Sequence, residues 1–162
     1  MAKSERPKRV VRAEVARLEA NGGPLPDRVA IDFLILADSA AEVQGKLYLL
    51  GGGWNLYRSN SYPTTFPFGL AGGILIPWSE TNRQHPVSFV IKASEGDQLL
   101  RVDAQVEIGR EAGLKPGMTQ RVVMAIQGQV TLPQAGTYEV ILETSEDTKR
   151  TIFEALLVPG SR

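Results

Sequence analysis

Val87-Ser88-Phe89-Val90-Ile91-Lys92-Ala93, followed by Ser94-Glu95-Gly96-Asp97-Gln98 and then Leu100-Arg101-Val102-Asp103-Ala104-Gln105-Val106-Glu107-Ile108, decides the fold. Apolar and polar residues alternate with a period of two on both sides of a polar, glycine-containing turn. That pattern is a hairpin with one face buried and one face wet. The same period continues outward. Val122, Met124, Ile126, Gly128, Val130 and Leu132 fall on one face of another strand, and Pro133-Gln134-Ala135-Gly136 turns the chain into Tyr138–Leu142. Ser145–Thr148 turns it again into Ile152–Val158.

Upstream, Val29–Ala37, Lys46–Leu50 and Phe68–Ile76 carry apolar residues at both parities, as central strands do. No helical period separates these runs. The sequence therefore predicts an all-β fold, an antiparallel two-sheet β-sandwich of about eight strands, because short connections join antiparallel neighbours.

The first twenty residues differ. Six basic residues stand against three acidic ones, so this stretch carries +3 and the remainder −3 in a chain of zero formal charge. Val11, Val15 and Leu18 recur at i, i+4 and i+7, and Gly22-Gly23-Pro24 follows as a stop. The pattern predicts a basic helix near Lys8–Ala20 and a linker, so residues 1–27 form an N-terminal extension and 28–162 the sandwich domain. A lone helix of this length is marginal in water. Val11, Val15 and Leu18 are accordingly candidates for docking on a partner protein or a second subunit.

Composition bounds the chemistry. Apolar residues make up 43% and charged residues 22%, which is ordinary globular usage for one domain of 162 residues. The balance of 18 basic and 18 acidic residues argues against a nucleic-acid or membrane-surface protein, since phosphate binding needs a basic excess. With no cysteine, thiol nucleophiles, disulfides and thiolate metal sites are excluded. No apolar run has the length of a membrane span. Charges interrupt the N-terminal stretch where a signal peptide needs a continuous apolar run, so a cytoplasmic location is expected. No cofactor is expected.

Four stretches are candidates for chemistry. Gly51-Gly52-Gly53-Trp54 lacks the Gly-Lys-Ser/Thr ending of a phosphate loop, and Leu56 stands where a dinucleotide fingerprint needs its third glycine. It reads as a bulge or corner that makes room for Trp54, with Gly72-Gly73 as a second place for the indole to rest. Asn55–Pro67 has no period and holds Tyr57, Arg58, Tyr62 and Phe66, the residue types of recognition surfaces. Trp78-Ser79-Glu80-Thr81-Asn82-Arg83-Gln84-His85 contains the only histidine, without a nucleophile elbow or a supporting acid at a triad spacing. Asp32, Asp38, Glu42, Asp97 and Asp103 follow no calcium-loop pattern, so no metal is expected.

The candidate ligand- or partner-binding residues are thus Trp54, Tyr57, Arg58, Tyr62, Trp78 and His85, and no residue is expected to be catalytic. A non-enzymatic interaction or assembly module, partnered by another protein or by itself, is the first functional expectation. A small-ligand binder using the aromatic loops is the second, and a hydrolase using His85 with Glu80 or Ser79 ranks last.

Phe33–Asp38, Gly45–Trp54, Ile76–His85, Gly113–Gly117 and Leu132–Tyr138 together resemble an uncharacterised bacterial family of small proteins with a domain of unknown function. The resemblance spans about Val29–Val158 and implies no activity, cofactor or catalytic residue. The closing turn with Gly136-Thr137-Tyr138 is also similar to immunoglobulin-like sandwiches, which bears on fold alone.

Overall fold

A computed structural model describes residues 26–159. The N-terminal helix expected near Lys8–Ala20, with Val11, Val15 and Leu18, lies outside the described residues.

Nine strands make two sheets. They are β1 (Ala30–Val43), β2 (Lys46–Gly52), β3 (Leu56–Ser59), β4 (Thr64–Pro77), β5 (Gln84–Ala93), β6 (Gln98–Glu107), β7 (Thr119–Leu132), β8 (Gly136–Thr144) and β9 (Thr148–Leu157). One sheet has the order β2-β1-β4-β7 and the other β3-β9-β8-β5-β6. The inner face of β4 supplies Phe66, Phe68, Leu70, Ile74 and Ile76 to the core, all at most 1% exposed. Phe89, Ile91, Tyr138, Val140, Leu142 and Phe153 face them from the other sheet. The hairpin read from Val87–Ile108 is β5–β6, with Phe89 opposite Val102 and Val87 opposite Ala104.

Two corrections concern β3. The strand count is nine, because Leu56–Ser59, read as part of an irregular loop, is a strand. Four residues are too few to display a period. Its partner β9 runs parallel to it, with Leu56 beside Glu154 and Ser59 beside Leu157, so the sandwich is not wholly antiparallel. Short connections dictate antiparallel pairing only between neighbours in sequence, and most of the domain separates β3 from β9.

β1 changes partners along its length. Ala30–Ala37 pairs with β4, and Ala37–Val43 departs from β4 to pair with β2. The departing half crosses the outer face of β4 so closely that a Cβ on Gly69 would stand 2.6 Å from the Ala40 nitrogen and from the Ser39 carbonyl carbon. Gln127 on β7 secures this seat: its Oε1 accepts from the Ala40 N–H at 2.9 Å, and its Nε2 donates to the Asp38 carbonyl at 3.4 Å. The hairpin closes through Gln44 (φ 53°) and Gly45 (φ 73°), the left-handed pair of a two-residue turn whose twist suits the strands. Glu42 accepts the Gly45 N–H.

Candidate functional site

The sequence-predicted site residues separate into two groups. Trp54, Tyr57, Arg58 and Tyr62 lie near the start of β4, and Trp78 and His85 lie beyond its end. A 14-residue strand spans roughly 45 Å, so these are opposite ends of the sandwich.

At the first end Phe66 and Phe153 stack at 4.9 Å, and Tyr138 stacks on Phe153 at 5.4 Å. Trp54 meets Phe66 and Phe153 edge-on at 5.8 and 6.1 Å, and Tyr57 meets Phe66 edge-on at 4.8 Å. Such edge geometry satisfies the ring quadrupoles while closing the end of the core. The tyrosine hydroxyls anchor the cover: Tyr57 donates to the Thr65 carbonyl and Tyr62 to the Leu156 carbonyl, both at 3.2 Å. Loss of water around Tyr62 pushes its phenol pKa up, and Tyr57 and Tyr138 add to the shift.

Of the two glycine stretches over which the sequence offered to pack Trp54 or a neighbouring backbone, Gly72-Gly73 is filled by other side chains. Phe33 covers Gly73, while Leu142 and Phe89 occupy the space at Gly72. The Trp54 indole N–H is buried without an acceptor among the described residues. Beside it Asp38, Leu56, Tyr57 and Arg58 complete a cleft of about 270 Å³. A larger hollow of about 520 Å³, between Ala93–Gly96 and Gln134–Tyr138, went unread because its lining is turn residues with no chemical signature.

At the other end, Arg110 lies over the Trp78 ring at 3.7 Å and donates to Thr81 Oγ1 at 2.9 Å. Thr81 Oγ1 in turn donates to the Trp78 carbonyl at 2.8 Å. The sequence does not single out Arg110, since nothing local ties it to a tryptophan so far upstream. His85 Nε2 lies 2.8 Å from the backbone carbonyl of Glu80, whose carboxylate instead pairs with Arg83 at 3.3 Å. This places the imidazole against a main-chain oxygen, as a brace of the loop. No group of three metal-ligating side chains is gathered among the described residues.

Residues 32–153, about three quarters of the chain, match the profile of a family of unknown function, DUF6941. The chain belongs to DUF6941. The matched span begins inside β1 and ends inside β9, so the β1–β2 hairpin, β3 and both aromatic ends lie within the DUF6941 region. A search of curated proteins returned no match. No helix among the described residues is long and apolar enough to cross a membrane.

The large apolar side chains exposed on the DUF6941 domain are unevenly distributed among its strands. Eight large apolar side chains are exposed among the described residues, and seven belong to the β1–β2 hairpin, β3 and β9. Leu50 is 72% exposed, Leu157 60%, Tyr48 56% and Val43 52%. The edge strands β2 and β3 are joined by only Gly53-Trp54-Asn55, so they share one flank of the sandwich. The far edge of the β3 sheet is different. There β6 presents Arg101, Asp103, Gln105 and Glu107, and Arg101 ties Asp103 (2.8 Å) to Glu143 (3.4 Å). The Ser88 hydroxyl, most of all, holds the Asp103 carboxyl below its usual range; burial opposes it and Arg101 adds to the lowering.

Proposed function

We propose that this chain is a non-enzymatic protein-interaction module working through the flank formed by β2, β3 and β9. The concentration of exposed apolar side chains there carries the reading, because large apolar patches on soluble domains mark contact surfaces. The edges support it as well. Native sheets protect free edges with charge, proline or bulges, and β6 is charged in this way. β2 has one lysine, at its start, and no proline.

The sandwich reads as immunoglobulin-like at the level of topology. The order β9-β8-β5-β6 corresponds to G-F-C-C′ and β1-β4-β7 to A-B-E, with β2 as an added strand. Tyr138, which donates to the Gln134 carbonyl at 2.6 Å, supplies the bond of a tyrosine corner. The stripe of Val11, Val15 and Leu18 is a second candidate contact of the same module, and the absence of cysteine fits a cytoplasmic site of action. The Trp54 N–H, without an acceptor among the described residues and beside its cleft, favours the second reading, a small ligand with a hydrogen-bond acceptor.

A photo-crosslinking amino acid placed at Leu50 or Leu157 in cells tests the module. Adducts are expected from both positions and not from Gln105 on the opposite flank. Equal yields from all three, or none from the flank, would overturn it.

A further inference from the structure

We infer that the free edge of β2 receives β2 of a second copy of this chain, antiparallel and about a twofold axis passing through Tyr48. The inference rests on the flank reading and names its partner.

The hairpin ladder determines which backbone groups are available. Counted from the two-residue turn, Val43–Lys46, Ala41–Tyr48 and Ser39–Leu50 are the pairs that exchange hydrogen bonds inside the hairpin. The N–H and C=O groups of Leu47 and Leu49 therefore point to the open side. Beyond Leu50 the extended run ends, because Gly51 has a φ of 59°. The usable edge is Lys46–Leu50, whose midpoint is Tyr48.

A twofold axis there sets Leu47 opposite Leu49 of the second copy and Leu49 opposite its Leu47. Both pairs then use the free backbone groups, and opposed residues fall on the same face. Tyr48 meets Tyr48 on the axis, an aromatic cross-strand pair, and Lys46 meets Leu50 at each end. A register shifted by one residue at the axis, centred on Leu49, would need Gly51 as an extended partner for Leu47.

Charge supports a second copy as the occupant. Lys46 and Asp38 are both exposed, and neither has a salt-bridge partner among the described residues. The Asp38 carboxylate rests against Gly51, one residue past Leu50. The pairing thus carries each Lys46 toward Asp38 of the other copy, twice by symmetry. With zero formal net charge, no long-range repulsion opposes association of like chains.

The test is the mass of the full chain across a concentration series, by sedimentation, for the natural sequence and two variants at one exposed position. The natural chain is expected to pass from monomer to dimer with rising concentration. Leu50→Lys sets a lysine opposite Lys46 at both ends and should weaken the dimer at least ~10-fold, while Leu50→Glu sets a carboxylate there and should hold it at least as tightly. Unchanged thermal melts keep folding out of the comparison, since Leu50 packs on little. A monomer at every concentration, or equal effects of the two variants, overturns the inference. A photo-crosslinker at Leu50 in the purified chain separates the remaining cases. An adduct with residues 1–25 of its own chain overturns it by naming another occupant. A monomer whose Leu50 captures a different protein in cells also overturns it but leaves the flank reading standing; no capture at all ends both.

Discussion

Replacing Gly69 with alanine places a methyl carbon 2.6 Å from the Ala40 nitrogen and the Ser39 carbonyl carbon, and 2.9 Å from Ser39 Cα. All three are backbone atoms, so no side chain can rotate away. To reach ordinary contact near 3.5–4 Å, the crossing half of β1 must lift by roughly 1 Å. Overpacking of this kind costs ~1–3 kcal/mol, and the lower chain entropy of alanine offsets ~0.5–1 of it. A net loss of about 1–2 kcal/mol lowers Tm by about 2–8 °C in a domain of this size. Urea unfolding of Gly69→Ala beside Gly109→Ala measures it, since the nearest atom at Gly109 is Asn82 Oδ1 at 3.7 Å. Gln127→Ala releases the same seat by removing the acceptor of the Ala40 N–H and the donor to the Asp38 carbonyl, at about 1–3 kcal/mol. Because both changes free one segment, the double variant should lose less than the sum, by at least ~0.5 kcal/mol. A Gly69→Ala protein as stable as the natural one, or strict additivity, would refute the crossing hairpin.

Phe153→Ala removes the ring that stacks on both Phe66 and Tyr138, and chemical denaturation should record a loss of about 3–5 kcal/mol. Trp54→Phe keeps most of the edge contacts and deletes a buried donor with no acceptor, so the same assay should register under ~1 kcal/mol. Arg110→Ala uncovers Trp78, which should shift its fluorescence and cost ~1–2 kcal/mol, whereas an unmoved spectrum would contradict the stacking. For Asp103 the folded pKa is depressed, so its contribution to stability is complete above the unfolded value and fades as pH falls through the folded one. Asp103→Asn should flatten the acid limb of a stability-against-pH curve and leave its alkaline limb in place.

The fold was legible wherever one face of a strand is wet. Leu100–Ile108 shows its period because Arg101, Asp103, Gln105 and Glu107 are exposed while Val102 and Val106 between them are half-buried. β4 was legible only in part. Its start, Thr64–Pro67, mixes proline with polar residues, because β1 has left it there and only β7 remains alongside. β3 was hidden, since its partner is almost the full domain away. The aromatic residues of the candidate site were found by type, but their roles were not. Tyr57 and Tyr62 point their hydroxyls at nearby carbonyls and serve the core's end, while the apolar flank consists of Tyr48, Leu50 and Leu157, which read as strand interior. A strand with apolar residues on both faces looks the same in sequence at a sheet centre and at an unprotected edge. The difference lies in topology, which pairing far along the chain determines.

Amide hydrogen exchange along β2 of the full chain, at dilute and at high concentration, tests most directly whether this edge receives another strand. The account predicts that Leu47 and Leu49 exchange freely in the dilute sample and become protected as concentration rises, while Tyr48, already bonded to β1, changes little. Exchange at Leu47 and Leu49 that is rapid at every concentration would contradict it.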